Sequence, residues 1–595
     1  MAALLLPVLV LFMPLTISGI IIEGEHPVSA TAPAYLGINI DAASLFQSTR
    51  LDFGDGDLRF LAKLLNGALP AIPMTMRVGG SSSDDLTWGN ATGKIVMSTT
   101  YWDALQDFIG DAGFNLAWDL NAMRSRDGTS AKWDPQDATT LLRHVQSKRQ
   151  SLWALQLGNE PGHFQTRSGG KPTPKEHGGD FLQLHALLDD LYGTSRLDRP
   201  RIQGPDVCYG RGTDASPCAT LSYLRELLTV TGPNTIDDLT VHAYGLIGPG
   251  KPGSQCNLKA FLDPSAWQGT VDVVIGYLQV RNDHVPSANV VLSETASAPD
   301  GGCPGLSNRF AAGFYFVDIL GVMGELGVWQ VYRQDLVGFS GINGGSSYAL
   351  AGPAGWYSRT SKGRLMPHPD YFTALLWRRL MGPTRLRMLN RPSRRGVRHY
   401  AACAVGGGVA MAYLNPTAAP LEVVVNISSG RWLGSGSVQQ VELYILTAPG
   451  GNLTADGILL NGERLNATSA LEPIHSASLK VMVPPFSYGF AVDRAACAPA
   501  CSISCGNSYR GGQALRAVAA SYSEYNEASP ATFDDGCIHV TMPSVHHGAN
   551  TATIQTALDL ASKQGSERAA SGRGGLGCVA VSGGDYPVLT LKVKS

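Results

Sequence analysis

The stretch Leu155-Gln156-Leu157-Gly158-Asn159-Glu160-Pro161 closes an apolar run that begins at Ser151. The run has the length and composition of a buried strand. Gly158 frees the backbone, and Pro161 stops the strand and steers Glu160 away from helical geometry. A carboxylate is thereby delivered at the C-terminal end of a core strand. In barrels of parallel strands that rim carries the catalytic groups. The plainer alternative is a glutamate in an ordinary strand-to-helix loop.

Working outward, seven further apolar segments share this character: Tyr35–Ile40, Met74–Val78, Phe114–Leu120, Arg201–Val207, Leu239–Tyr244, Val290–Glu294 and Val328–Tyr332. Stretches of helical spacing lie between them: Leu58–Leu69, Tyr101–Ala112, Asp137–Gln150, Phe181–Leu191, Leu221–Thr229, Ser265–Val280 and Phe310–Leu326, with Tyr371–Met381 after the last. Eight strand–helix units predict a (β/α)8 TIM barrel over residues 20–383. The competing architecture is an open doubly wound sheet. No GxGxxG follows the first strand and no phosphate loop occurs, so nucleotide binding loses support.

After Pro383 the texture changes to short β-patterned runs separated by turn residues, Val397–Ala402, Val409–Leu414, Leu421–Val425, Val438–Leu446, Lys480–Val483 and Ser487–Val492. These predict a β-sandwich over residues 384–497. Cys403 lies in its first part and Cys497 at its end; a bridge between them would pin the last strand, but spacing alone leaves the pairing open. Residues 498–595 form a tail rich in Ser, Gly and Ala, with a helix expected at Thr551–Ala561 and short strands at Cys578–Val581 and Val588–Val593.

The chain has 595 residues, 44% hydrophobic and 16% charged, and a formal net charge of -2, which gives no support to a nucleic-acid partner. Residues 1–19 are apolar, uncharged and end in small residues, and read as a secretory signal peptide; a membrane anchor is the alternative. No later run is long enough to span a bilayer. Ten cysteines and the sequons at Asn90, Asn426, Asn452 and Asn466 fit an extracellular or lysosome-like compartment, with membrane or cell-wall association left open. Cys497-x3-Cys501-x3-Cys505 reads as disulfide chemistry rather than a metal site, so neither metal nor cofactor is expected.

The seventh segment ends in Ser293-Glu294-Thr295, a second glutamate at a strand end on the same rim. Glycoside hydrolysis needs such a pair, one protonated to donate to the leaving oxygen and one ionised to attack the anomeric carbon. Glu160 is expected as acid/base and Glu294 as nucleophile, with nearby negative charge and burial raising the pKa of the donor. Asn159, next to the acid, could hydrogen-bond a sugar 2-OH, and Tyr244 is either the residue that holds the nucleophile or a core tyrosine with its hydroxyl satisfied. Asp41, ending the first strand, is either a sugar ligand or a helix cap. Trp88, Trp102 and Trp118 are either sugar platforms or core.

At this point the chain resembles glycoside hydrolase family 79, the family of heparanase and related β-glucuronidases. The resemblance rests on INIDA (38–42), RVGG (77–80), QLGNEP (156–161), VHAY (241–244), LSETASAPDGG (292–302), SNRFAAGF (307–314), PDYFTALLWRRLMG (369–382) and PPFSYGFAVDRAAC (484–497). It implies a barrel plus sandwich and retaining cleavage of β-linked glucuronic acid from polysaccharide, glycoprotein or proteoglycan chains. It implies acid/base Glu160 and nucleophile Glu294, with Asp41, Asn159 and Tyr244 touching sugar or nucleophile. It further implies uronate contacts at Gly301 and Tyr348, and a Cys403–Cys497 disulfide. Asp300 stands where the family carries glycine, which bears on acid-sugar preference. Only Ser81–Thr100 separate the second strand from the next helix, which predicts activity without internal cleavage. Asn550–Ala561 and Val579–Lys594 weakly resemble the opening of a pectin-lyase-like β-helix, so the tail reads either as a first coil of a truncated β-helix or as poorly ordered sequence. A barrel hydrolase for a neutral β-glycoside and a non-catalytic glycan-binding matrix protein are the competing functions.

Overall fold

The computed structural model describes residues 15–501, except 46–49, 70, 90–94, 125–131, 165–171, 194–198, 210–220, 339–345, 354–364, 390–395, 429–439, 477–479 and 497, and also three strands of the tail. Eight parallel strands close into a barrel. In order they are Leu36–Asp41, Thr75–Gly79, Asn115–Leu120, Ala154–Leu157, Arg201–Tyr209, Asp238–Ala243, Asn289–Thr295 and Gln330–Arg333. Each follows an apolar segment predicted above. Their residues are buried on both faces, as parallel strands covered by helices must be.

The helices fall in the predicted gaps, and their ends are set by local chemistry. Ser98 caps Thr99–Ala112 by accepting from Tyr101 N, and Gly113 ends that helix in a left-handed turn. The helix Pro174–Tyr192 starts seven residues before the expected Phe181. There Thr173 and Glu176 form a reciprocal capping box ahead of Pro174 at the first turn. The polar run Lys175–Asp180 hid this start from a reading based on apolar spacing.

The strands between Met381 and Asp493 join one eleven-stranded sheet. Residues from both of its ends, among them Val423, Val481, Leu443 and Ala491, pack in one core, so the sheet folds over on itself as a sandwich does. Two boundaries differ from expectation. Leu15–Ala30 belongs to this sheet, parallel to Leu421–Ser428 and antiparallel to Met381–Leu389. The expected barrel start at residue 20 is therefore displaced: Ile20 and Ile22 are buried in the sheet's own core. The strand also includes Leu15–Gly19, the last five residues of the stretch read as a leader.

The second correction concerns the disulfide. Cys403 is bonded to Cys501, with Cα atoms 5.4 Å apart, and not to Cys497, which lies outside the described residues. The short helical turn Pro499–Cys501 carries the chain past the end of the last strand and back against the sheet. Spacing could not separate partners four residues apart. Cys256 and Cys303 form another bridge.

The helix Ala312–Glu325 is the seam between barrel and sheet. A Cβ at Gly313 would sit 2.1 Å from Tyr488 Oη, and one at Gly321 would sit 2.1 Å from the Tyr400 ring. Only glycine lets these tyrosines reach the helix backbone. Between them Asp318, fully buried, accepts from Trp267 Nε1 at 2.6 Å, from Arg398 Nη1 at 2.9 Å and from the Tyr400 hydroxyl. Burial raises its pKa despite these donors.

In the tail, Ile538–Met542, Leu576–Gly583 and Leu589–Lys594 form a small sheet, the first pair parallel and the second antiparallel. The expected helix Thr551–Ala561 lies outside the described residues.

Candidate active site

Gly158 carries the chain out of the fourth strand at φ 80°, where a Cβ would meet Ala122 at 2.6 Å and Phe164 at 2.7 Å. Glu160 follows in the left-handed region at φ 50°, ψ 72°, and opens the short turn Pro161–His163. Such geometry in a residue with a Cβ costs about 1–3 kcal/mol and persists only where the surroundings impose it. Here Asp84 does so. Its buried carboxylate accepts from Asn159 N at 3.2 Å and from Ala122 N at 3.1 Å, while Glu160 N donates to Asp206 O at 3.1 Å.

Glu294 is the penultimate residue of the seventh strand, in register with His242 of the sixth. One carboxylate oxygen of Glu160, one of Glu294 and a ring nitrogen of His242 all lie within 4.8 Å of one another. The nearest carboxylate oxygens of the two glutamates are thus less than 4.8 Å apart, on one rim of the barrel.

Glu294 is held by donors on both oxygens. Its Oε2 accepts from Arg77 Nη1 at 2.9 Å, and its Oε1 accepts from the Tyr244 hydroxyl. Burial and the Glu294 charge push the Tyr244 pKa well up, which keeps the phenol a donor. Tyr348 stacks on Tyr244 with centroids 6.2 Å apart. Arg77, fully buried on the second strand, also donates to Gln156 Oε1 at 2.6 Å, Asn159 Oδ1 at 2.8 Å and Asp206 Oδ2 at 3.1 Å. Burial opposes its charge, but Asp206, Glu294 and Asp119 outweigh burial and hold it protonated. Asp119, 3.9 Å from Arg77, goes the other way: burial raises its pKa well above the usual range.

Glu160 is not the raised carboxyl that was expected of an acid/base. Glu160 Oε2 is 2.8 Å from His163 Nδ1, and Oε1 is 3.0 Å from His242 Nδ1. Burial pushes Glu160 up, but the two imidazole donors outweigh it and hold the group below the carboxylate range. Burial opposes the charge on His242, yet Glu294 and Asp206 push its pKa up to about 10. The resting site thus keeps its proton on nitrogen. These clusters have the spacing to hold a cation, but their donors are otherwise committed. Arg77 already neutralises Glu294, and Cys208, near Glu160 and His163, is disulfide-bonded.

Asp41 is a cap in the structure, as one of its two readings had it, and its second oxygen has a protein partner. Oδ1 caps the turn Ala42–Leu45 through Ala43 N at 2.8 Å, and Oδ2 accepts from Gln334 Nε2 at 3.0 Å at the end of the eighth strand. Gly301, at φ 86°, accepts from Ser347 N at 2.6 Å and Tyr348 N at 3.2 Å, which joins the two residues expected at a uronate. Trp88, Trp102 and Trp118 are core: they are buried and pack edge to face on one another. Asn452 and Asn466 are exposed, Asn426 lies in the strand Leu421–Ser428, and Asn90 falls outside the described residues.

Arg77, Asp206, His242, His163 and Gln334 were not singled out from sequence. Arg77 had a signal, since an arginine inside an apolar strand must find buried acids. His163 had none beyond its spacing from Glu160.

A model of the glycosyl hydrolase family 79 N-terminal domain matches residues 63–321. Rat (Rattus norvegicus) heparanase is 30% identical over 416 residues, 67% of this chain and 69% of that one. The chain belongs to glycoside hydrolase family 79. A baicalin-β-D-glucuronidase of Scutellaria baicalensis is 26% identical, covering 78% of this chain and 90% of its own. Among solved structures, a 4-O-α-L-rhamnosyl-β-D-glucuronidase from Fusarium oxysporum superposes with a TM-score of 0.56 at 15% identity, over 80% of this chain and 100% of its own; that likeness speaks for the fold. The family 79 chain is a glycoside hydrolase, and its substrate is a glycan.

Proposed function

We propose that this glycoside hydrolase is a retaining β-glucuronidase, with Glu294 as nucleophile and Glu160 as acid/base. The observation that carries the mechanism is the separation of the two carboxylates, within 4.8 Å at their closest oxygens. Glu294, paired with Arg77 and oriented by Tyr244, attacks the anomeric carbon and forms a glycosyl ester. Glu160 protonates the departing oxygen and then deprotonates the water that cleaves the ester. Asn159 and Asp41, held by Arg77 and Gln334, offer contacts to ring hydroxyls. The choice of glucuronide rests on relatives named for that activity.

One observation favours a neutral sugar instead. Asp300, beside Gly301, is one-third exposed and pairs with Lys251 at 3.6 Å. An exposed pair of this kind is weak and leaves negative charge near the loop. A secreted or lysosome-like location belongs to the same proposal; no helix among the described residues is long and apolar enough to cross a membrane.

Purified protein assayed on aryl β-glucuronide, β-galactoside, β-glucoside and β-xyloside decides the sugar. A 2-deoxy-2-fluoro glucuronide with a good leaving group should label Glu294, found by peptide mass spectrometry. Labelling elsewhere, or inversion of configuration in the product, overturns the mechanism.

A further inference from the structure

The two imidazoles on Glu160 stand in different surroundings. His242 is fully buried, with Asp206 Oδ1 3.4 Å from its Nε2 and Glu294 Oε2 3.6 Å from its Nδ1. His163 lies on the turn that Glu160 opens, with its backbone N–H donating to Glu160 O at 2.7 Å. Its side chain is 29% exposed, against 14% for Glu160. The His163 ring therefore connects one oxygen of the acid/base to solvent, while His242 is locked among anions.

We propose that His163 is a positioning residue that stores and exchanges the proton Glu160 uses. The inference rests on the retaining mechanism above. A carboxylate receiving an N–H on each oxygen has no proton to give a glycosidic oxygen. Transfer across the 2.8 Å contact turns carboxylate and imidazolium into carboxylic acid and imidazole. The acid then protonates the leaving oxygen as its bond to the anomeric carbon breaks and the Glu294 ester forms. In the second step Glu160 takes a proton from the attacking water, the ester bond breaks, and the proton returns to His163. One water is consumed and no net proton.

Among the described residues, the groups facing this pair are His242, with Asp206 and Glu294 behind it and Arg77 and Tyr244 bonded to Glu294. The sulfur of Cys208 lies within 4.8 Å of both Glu160 and His163, but as part of a disulfide it does not titrate. An imidazole as a class keeps its proton to higher pH than a carboxyl does. A proton stored on the ring extends the acid function toward neutral pH.

The test compares wild type, His163→Gln and Glu160→Gln over a range of pH, after thermal unfolding has confirmed that all are folded. Gln keeps an N–H donor but cannot exchange a proton. For 4-nitrophenyl β-glucuronide, His163→Gln should move the alkaline limb of kcat/KM at least about one pH unit toward acid. Near pH 7 kcat/KM should fall about tenfold or more, and near pH 4.5 less than about threefold. On 2,4-dinitrophenyl β-glucuronide, whose leaving group needs no proton, the loss near pH 7 should also stay below about threefold. Superimposable pH profiles, or an equal loss on both substrates at every pH, overturn the proposal. If the glycoside panel selects another sugar, the same pair of leaving groups on that sugar gives the same test. Should Glu160→Gln itself keep wild-type turnover, the mechanism beneath the proposal fails, a result distinct from failure of His163.

Discussion

Arg77→Met puts the electrostatic design of the site to a quantitative test. Arg77 is fully buried, 2.9 Å from Glu294 and 3.1 Å from Asp206. Methionine fills much of its volume but leaves both carboxylates without their cation. Breaking a buried pair costs about 3–5 kcal/mol, because the abandoned charge has lost its hydration. Glu294 keeps the Tyr244 donor, and Asp206 keeps Ser293 Oγ at 2.7 Å, so the lower figure, about 3 kcal/mol, is expected near pH 7. At ~2–4 °C per kcal/mol for ~150–250 residues, and about half that for a chain this long, Tm should fall by roughly 3–6 °C.

The pH dependence carries the sharper test. Burial pushes Asp206 up, but Arg77 and His242 outweigh it and hold the group well below its unfolded value of ~3.9. Its contribution is present above that value and is lost only as pH falls through the lower, folded one. Without Arg77 burial gains the upper hand, the folded pKa rises above the unfolded one, and the variant recovers stability as pH falls. Differential scanning fluorimetry should therefore show the Tm gap shrinking by at least half between about pH 7 and about pH 4. A gap that is the same at both pH values refutes the reasoning.

Other outcomes follow from single contacts. Glu160→Gln and Glu294→Gln should each lose at least about a hundredfold in kcat on an aryl glucuronide, and near-full turnover in either refutes its role. Tyr244→Phe should lower kcat more than it changes KM, measured by steady-state kinetics, because the hydroxyl holds Glu294, the proposed nucleophile. Gly158→Ala should cost about 2–4 kcal/mol by urea denaturation, from the positive φ and the contacts with Ala122 and Phe164. Non-reducing peptide mapping should recover Cys403 joined to Cys501 and no peptide joining Cys403 to Cys497. Intact-mass analysis of active enzyme should show an uncut chain through Ser81–Thr100, and activity that appears only after cleavage there refutes that expectation.

The barrel was legible because each parallel strand is buried on both faces, so its sequence is an uninterrupted apolar run ending at the rim. Glu160 and Glu294 could be found for the same reason, as charges that terminate such runs. What could not be read is whatever depends on partners distant in sequence. Leu15–Ala30 looks like a leader followed by a mixed segment, and only its pairing with Leu421–Ser428 makes it a strand of the second domain. Asp41 carried two readings; one oxygen makes the cap, and the other accepts from Gln334, 293 residues away, a partner the sequence could not show. The protonation of Glu160 was inferred with the wrong sign. Neighbouring acids were visible in the sequence, but the imidazoles of His163 and His242, 3 and 82 residues away, outweigh them.

The N-terminal strand has a consequence for how the molecule is made. On the ribosome Leu15–Ala30 emerges first, yet its neighbours at Met381–Leu389 and Leu421–Ser428 are synthesised only after the whole barrel. The segment must wait, unpaired, through most of translation. A shortened chain that begins at the barrel's first strand would leave a slot in the middle of the sheet, with the edges of two strands exposed. Supplying the missing segment as a separate peptide should fill that slot, in the manner of strand donation between protein chains.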